Sequence, residues 1–209
     1  MSDNKIDVAG DGGVVEQTIS PAKEETKELR LIPNNDPRLL NMIAPFQDSM
    51  LKEHGFKDRK ELAVQMQLAM SRYGGIGLSA NQVGLPFRMF VMGGHPQIAN
   101  GALINVFNPV IKEYSKNTVL LKEGCLSFPF IFLAIPRPER IKVGFENEDG
   151  KEQEVELDGM LSRIFQHEYD HMQGLVFTEK VSKLKFDLAQ KKAQKQFKRW
   201  QKMSEQNQT

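Results

Sequence analysis

The sequence predicts an α+β fold in which antiparallel sheets pack around a central helix. From Gly75 to Leu157 the hydrophobic residues fall in short runs rich in Val, Ile and Phe, which is typical of strands. Helical periodicity is confined to the segments before and after this block. Since strands and helices do not alternate along the chain, the pattern favours antiparallel sheets over a parallel α/β arrangement.

Capping and proline signals set the predicted ends of the first two helices. A short helix is expected over 38–50, interrupted near Pro45 because proline lacks an amide donor and clashes with the preceding turn. Asp58 and Glu61 have the spacing of a capping box, so a longer helix is expected to begin there. Gly74 stands where a C-terminal cap belongs, so this helix should end just before it.

The central block divides into short strands that are followed by a third helix. Asp149 and Gly150 form a hairpin signal inside the last strand pair. Asp158 can cap a helix that starts at Gly159 and ends at Gly174. The strands are expected around 87–92, 102–114, 118–122 and 141–157.

Length and composition predict one catalytic domain with a tail at each end. The 209 residues, of which 40% are hydrophobic, allow a single sizeable core, which we place at 29–180. Residues 1–28 are polar and Gly-rich and predict a flexible tail. Residues 181–209 predict a basic helix and a tail. A formal net charge of +1 indicates no general attraction to nucleic acid or anionic membrane.

Cysteine content and hydropathy predict a cytoplasmic protein. Cys125 is the only cysteine in the sequence, so no intramolecular disulfide can form and a reducing compartment is the simpler assumption. No apolar run approaches the roughly 20 residues needed to span a bilayer, and the acidic N-terminal segment disfavours a transit peptide. We expect a monomer that does not associate with membranes.

The C-terminal segment predicts a basic amphipathic helix. Leu184, Leu188, Phe197 and Trp200 are the positions expected to face inward. One interpretation is a solvated helix that covers the core with this apolar stripe. Its cationic residues, set against Asp187, are Lys183, Lys185, Lys191, Lys192, Lys195, Lys198 and Arg199.

The stretch HEYDH has the H-E-x-x-H form of a metal site on the central helix. His167 and His171 are four residues apart and project from one helical face, so both can bind one ion, with Glu168 free beside them to act as a base. A metzincin protease would supply a third histidine where this chain has Phe177. The third ligand must therefore come from elsewhere, and the candidates are His54, His95, a carboxylate or Cys125.

The cysteine within EGCLSFP has two interpretations. As a ligand, Cys125 would complete a Cys-His-His site with one open position, which is a catalytic arrangement, and the glycine before it permits close backbone approach. Alternatively it is a small buried hydrophobe, the ordinary role of a lone cysteine. The residues alone do not decide between them.

Three stretches taken together resemble the peptide deformylases: GIGLSANQVG at 75–84, EGCLS at 123–127 and QHEYDHMQG at 166–174. Their order and spacing also resemble that family, over about residues 30–185. One departure is Ser79, where the family usually has alanine, and we expect little effect from it. The resemblance implies that Cys125 is the third metal ligand, beside His167 and His171.

The resemblance implies a metal-dependent hydrolase that removes the N-formyl group from the N-terminal formyl-methionine of nascent polypeptides and releases formate. It implies that Glu168 takes a proton from water and delivers it to the leaving amine. It also implies that the side-chain amide of Gln82 and the backbone N–H of Leu126 donate to the oxygen that becomes negatively charged. Fe(II) is the expected ion, with Zn(II) or another divalent ion as the alternative.

The resemblance further implies how substrate binds. Gly75 and Gly77 would let the extended GIG segment pair with the substrate backbone. Near the metal, Asp170 is expected to orient a histidine, and Glu123 and Arg163 are expected to form an ion pair. The methionine pocket would be lined by Ile76, Leu121, Met160, Ile164 and His167.

Two segments outside the motifs carry further expectations. The apolar run FPFIFLAIPRP after Cys125 is expected to form a hydrophobic loop beside the substrate cleft. The lysine-rich C-terminal helix could bind ribosomal RNA near the nascent-chain exit, as the corresponding tail does in some deformylases.

Two rival functions share part of these motifs. A zinc endopeptidase also uses H-E-x-x-H, but Phe177 and a cysteine ligand are unusual for it. A noncatalytic protein with a structural metal would normally close the site with four protein ligands, and Glu168 and Gln82 would have no role there.

Overall fold

The computed structural model describes residues 28–206, and the predicted tail at 1–28 lies outside them apart from its last residue. The α+β class with antiparallel sheets is confirmed. The helices are α1 (Ser49–Glu53), α2 (Arg59–Arg72), α3 (Gly159–Met172) and α4 (Lys183–Gln206). The strands are β1 (Gly77–Ser79), β2 (Met89–Gly93), β3 (Leu103–Tyr114), β4 (Thr118–Cys125), β5 (Phe128–Pro138), β6 (Arg140–Glu146) and β7 (Glu152–Asp158).

The strands of residues 28–206 form two antiparallel sheets. A five-stranded sheet has the order β1-β2-β3-β6-β7, and β4 pairs with β5 in a separate two-stranded sheet. Helix α3 contacts strands of both sheets and so lies between them, while α2 packs on β1 and β2. Strand β1 is at the edge of its sheet, which leaves one side of its backbone free for pairing.

The predicted second helix forms, whereas the predicted first helix does not. Asp58 accepts a hydrogen bond from the backbone N–H of Glu61 at 2.8 Å, and α2 ends just before Gly74, which has φ +67°. The helix expected over 38–50 is wrong. A 3-10 turn occupies Pro37–Leu40 and α1 begins only at Ser49, because Pro45 cannot continue a helix between them.

The apolar run at 128–138 is strand β5, and the expectation of a loop is wrong. Phe128, Ile131, Leu133 and Ile135 are buried, and exposed residues alternate with the last three of them, which is the period of a strand. Its prolines are tolerated because a two-stranded sheet leaves each strand a free edge, where no ladder donor is needed.

Helix α3 begins and ends where the sequence predicts, but its N-terminal cap differs. Asp158 occupies the N-cap position as expected, but its side chain makes no capping hydrogen bond; the backbone N–H of Gly159 donates to the carbonyl of Glu139 at 3.1 Å. Gly174 has φ +71°, and a side chain there would collide with the carbonyl of Leu40. This close packing fixes the end of the helix against the chain near residue 40.

Helix α4 packs on β5 with a face that matches the predicted one only in part. Ala193 is buried, and Phe186 and Ala189 pack against the same cluster of β5 side chains. Of the four positions expected to face inward, Leu184 and Leu188 are wrong, since they are 69% and 59% exposed, whereas the rings of Phe197 and Trp200 pack on Phe130 of β5 at 6.0 and 6.5 Å. Within residues 28–206 no helix is both long enough and apolar enough to cross a membrane.

Candidate active site

Helix α3 and strand β4 bring three metal-ligating side chains together. His167 and His171 lie one turn apart on α3, and Cys125 ends β4; one ligand atom from each lies within 4.8 Å of the other two. The Sγ of Cys125 is 3.4 Å from Nε2 of His171. Of the other candidates for the third ligand, His54 packs on Phe87 with its Nδ1 3.0 Å from a backbone carbonyl, and His95 is exposed.

These residues fit a divalent metal ion. A thiolate with two imidazoles is a donor set that suits Zn(II) and Fe(II), and three ligands leave a coordination position open. His167 turns its Nδ1 to Glu123, which leaves its Nε2 for an ion. His171 is 1% exposed, and its Nδ1 has no hydrogen-bond partner among the described residues. This burial and the unpaired Nδ1 fit a histidine that binds the metal ion through Nε2.

A buried network of charges surrounds Glu123. Its carboxylate accepts two hydrogen bonds from Arg137, at 2.6 and 2.8 Å, and one from Arg163 at 2.5 Å, and it contacts Nδ1 of His167 at 3.1 Å. The expected Glu123–Arg163 ion pair is therefore present. The residue that orients a histidine is Glu123 rather than Asp170, whose carboxylate binds Arg137 at 2.8 Å. Sequence reasoning missed Arg137 because its segment was taken for a loop.

The pKa values in this network follow from burial and pairing. Burial lowers the pKa of His167, but hydrogen bonds to Cys125 and Glu123 outweigh that effect and raise it to about 10. Burial raises the pKa of Glu123, and the bonds from His167 and Arg137 outweigh it and lower the value to about 2. Burial and the charge of His167 hold the pKa of His171 well below its usual range. Metal and proton therefore compete for His167.

Glu168 is buried beside the ligands, between α3 and β1. Its Oε2 accepts a hydrogen bond from the hydroxyl of Ser79 at 2.6 Å. A side chain at Gly77 would collide with its Oε1, so glycine is required where β1 passes this carboxylate. Burial raises the pKa of Glu168. A carboxyl group in such a setting holds a proton more readily than one in water.

Gln82 is fixed by hydrogen bonds at both ends of its amide. The backbone N–H of Ser79 donates to its Oε1 at 2.9 Å, and its Nε2 donates to Ser127 at 3.0 Å and to Sγ of Cys125 at 3.3 Å. Leu126 lies next to Cys125 in the turn between β4 and β5. The amide of Gln82 therefore points a donor at the metal-ligating group.

A cavity of about 660 Å³ opens in front of these residues. It is lined by Cys125, His167, Glu168, Gln82 and Leu126, and by the expected substrate residues Gly75, Ile76, Gly77, Met160 and Ile164. Leu121 does not line it, and its side chain is 42% exposed. Tyr73, Phe130 and Phe132 also line it; the last two belong to the apolar run that the sequence had placed beside the cleft.

This geometry agrees with comparisons to known proteins. The sequence profile described as Polypeptide deformylase matches residues 29–187. The chain belongs to the peptide deformylase family. A peptide deformylase from a Thermotoga species is 39% identical over 156 residues, which cover 72% of this chain and 92% of that protein. A deformylase from the Wolbachia of Brugia malayi is 37% identical over 175 residues, which cover 78% and 97%.

Solved deformylase structures share the fold. The enzyme from Ehrlichia chaffeensis matches with a TM-score of 0.70 and 34% identity, over 81% of this chain and 97% of that one. Arabidopsis thaliana peptide deformylase 1B in complex with an inhibitor matches with a TM-score of 0.68 and 32% identity, over 83% and 93%. The family removes the N-formyl group from nascent peptides in a metal-dependent reaction. Membership sets aside the endopeptidase and noncatalytic alternatives.

Proposed function

We propose that Cys125, His167 and His171 hold the metal ion with which this deformylase cleaves formyl-methionine peptides. The observation that carries the proposal is that their ligand atoms lie within 4.8 Å of one another, beside the cavity of about 660 Å³ that Cys125 and His167 line. When bound, the ion makes a water acidic enough to ionise near neutral pH and polarises the formyl carbonyl. Fe(II) is our proposed ion on the family resemblance, and the same donors also accept Zn(II).

Glu168 is the proposed general base and acid. Its burial beside the ligands keeps bulk water away from the carboxylate. It takes a proton from the attacking water while the oxygen–carbon bond forms. It delivers that proton to the nitrogen as the carbon–nitrogen bond breaks, so that formate and a free amine leave.

Gln82 and Leu126 are the proposed donors to the formyl oxygen. Negative charge develops on that oxygen during the attack, and donors already aimed at it stabilise the transition state without reorganising. The amide of Gln82 has its orientation fixed by Ser79 and Ser127, which supports this role. The backbone N–H of Leu126 would approach the same oxygen from the cavity wall, which Leu126 lines.

The free edge of β1 is the proposed binding strand for the substrate backbone. Gly75 and Ile76 lead into β1, and the cavity runs along them. An extended peptide can add to this edge through main-chain hydrogen bonds, which gives affinity with little dependence on sequence. The methionine side chain would enter beside Ile76, Met160 and Ile164, whereas Leu121 would contribute only from outside the cavity.

We also propose that α4 binds the ribosome. Residues 183–206 carry eight cationic side chains and two acidic ones, and Lys191, Lys192, Lys195 and Lys198 are exposed. Such a surface favours phosphate contacts that weaken with salt. The division into a domain at 29–180 and a basic extension at 181–209, the monomeric state and the cytoplasmic location stay predictions.

Formate release from a formyl-Met tripeptide tests the proposed function. The protein is prepared anaerobically with Fe(II) and compared with a Zn(II) preparation and with an unformylated control peptide. We expect formate release that requires metal, with the control peptide intact. Cleavage of the control peptide, or release that survives removal of the metal, would contradict the proposal.

A further inference from the structure

Ser79 contacts both side chains to which we assign proton transfer and oxygen binding. Its hydroxyl lies 2.6 Å from Oε2 of Glu168 and 3.2 Å from the backbone carbonyl of the same residue. Its backbone N–H donates to Oε1 of Gln82 at 2.9 Å. Ser79 is completely buried, so water cannot take the place of its hydroxyl in either contact. The sequence alone led us to expect little effect from a serine at this position.

The hydroxyl can pair with Glu168 whether or not that residue carries a proton. A serine hydroxyl has one hydrogen to donate and lone pairs to accept with. Opposite a carboxylate, it donates to Oε2. Opposite a carboxylic acid, its Oγ can accept a hydrogen bond from the acid O–H while its own hydrogen turns to the backbone carbonyl of Glu168, which is already within 3.2 Å. An alanine methyl group could do neither.

We propose that Ser79 is a positioning residue, whose hydroxyl holds the Glu168 side chain in one orientation through both proton transfers of the reaction. A general base acts only within hydrogen-bond reach of its proton, so a side chain that changes orientation between the two transfers would slow the reaction. The hydroxyl touches no part of the substrate in this arrangement. Its effect is therefore expected on kcat and not on KM.

The inference rests on the role proposed above for Glu168, and a double-mutant cycle separates the two. Steady-state deformylation is measured for the wild type, Ser79→Ala, Glu168→Asp and the double variant, each with its metal content determined. We expect Ser79→Ala to lower kcat about tenfold at unchanged KM and metal content, the typical contribution of a hydrogen bond to a charged group. In the Glu168→Asp background, where the shorter carboxylate is withdrawn from the hydroxyl, Ser79→Ala should cause no further loss.

A matched control is Ser162→Ala. Ser162 is also completely buried, on α3, but its hydroxyl contacts the carbonyl of Pro138 and the amide of Gln166. This variant should keep the wild-type kcat. A crystal structure of Ser79→Ala gives a readout apart from activity, since the Glu168 carboxylate should then occupy more than one rotamer.

The outcomes distinguish the two proposals. If Glu168→Gln, which lacks the proton acceptor and is measured alongside, is as fast as the wild type, the role of Glu168 is wrong and the inference on Ser79 falls with it. If Glu168→Asp is slow but Ser79→Ala keeps its kcat, only the inference on Ser79 is overturned. An equal loss from Ser79→Ala in both backgrounds, or a change in KM alone, would also overturn it, because the serine would then not act through the carboxylate.

Discussion

Helices α3 and α4 carry many charged residues, but they place them in opposite surroundings. On α3, Arg163, His167, Glu168 and His171 are at most 8% exposed, and the first three hydrogen-bond to other side chains. On α4, Ala193 is the one buried residue that the structure describes, and the lysines are exposed. Burying a charge is costly unless it is paired, whereas an exposed lysine costs little. The buried charged side chains of α3 therefore indicate a catalytic role, whereas the exposed lysines of α4 indicate only a solvated surface.

The largest expected effect comes from replacing Glu168, on α3, by a neutral residue. Glu168→Gln preserves size and burial but removes the proton acceptor, so kcat should fall about a thousandfold, within the usual range for general acid–base catalysis. Deformylation kinetics and metal analysis measure this. Metal content should not change, because the carboxylate is not among the ligating group. A variant that loses its metal, or that keeps its rate, would contradict the assigned role.

The next effect tests the cost of unpairing buried charges. Glu123→Gln leaves Arg137 and Arg163 buried beside a neutral amide, and should lower the free energy of unfolding by about 3 kcal/mol. Metal affinity should fall about tenfold or more, because His167 loses the acceptor that orients it. Urea unfolding and metal titration measure the two effects.

Glu154→Gln is the matched control for Glu123→Gln. Glu154 also pairs with two cationic side chains, Lys112 and Lys142, whose hydrogen bonds lower its pKa to about 2, but it lies on the surface. Its urea midpoint should stay unchanged. The lowered pKa of Glu123 also predicts how stability depends on pH. The stabilisation that Glu123 contributes is fully present above pH 4.5, the ordinary pKa of the group, and is lost as the pH falls toward 2. Equal losses of stability in Glu123→Gln and Glu154→Gln would contradict the expectation that unpairing costs more in the interior than on the surface.

The same contrast explains where sequence reasoning succeeded. The ends of α3 and the positions of both histidines follow from local signals, namely Asp158 before the helix, Gly174 after it and the i, i+4 spacing. The inward face of α4 follows only in part, because its 24 residues offer several apolar stripes and packing on β5 selects the one with Ala193, Phe197 and Trp200 over the one with Leu184 and Leu188. Local pattern fixes a helix, but the tertiary partner fixes its orientation.

Contacts between distant segments were the other part that sequence could not supply. The family resemblance suggested a hydrophobic loop at 128–138, although its buried positions alternate, and Arg137 was therefore not connected with Glu123. The hydrogen bond from Ser79 to Glu168 joins residues 89 positions apart. A motif can identify the reacting residues, whereas their positioning partners emerge only when the chain is folded.

A smaller effect is expected where α4 meets the active-site cavity. Phe130 lines the cavity with φ +64°, a conformation that phenylalanine rarely adopts, and its ring packs on Phe197 at 6.0 Å and Trp200 at 6.5 Å. Trp200→Ala removes part of this support. KM for a formylated tetrapeptide should rise about threefold, the scale of one aromatic pair, with kcat unchanged.

Leu188→Ala is the control for Trp200→Ala. Leu188 is on the same helix and 59% exposed, so its loss should leave KM unchanged. Steady-state kinetics with formyl-Met amide and with the tetrapeptide show whether the effect depends on the residues after methionine. A rise in KM for the amide as large as that for the tetrapeptide would mean that Trp200 supports the whole cavity and not its rim.

The smallest effect on catalysis, and the largest on ribosome binding, is expected from the lysines of α4. Replacing Lys191, Lys192, Lys195 and Lys198 by glutamate changes exposed charges only, so hydrolysis of a short peptide should stay the same. Cosedimentation with ribosomes should weaken, and its dependence on salt should become shallower, because fewer phosphate contacts release counterions. Glutamate at four exposed lysines outside α4 provides a control with the same change in net charge: Lys52, Lys57, Lys116 and Lys151. If both sets weaken cosedimentation equally, net charge and not α4 governs binding, and the helix then serves only to cover β5.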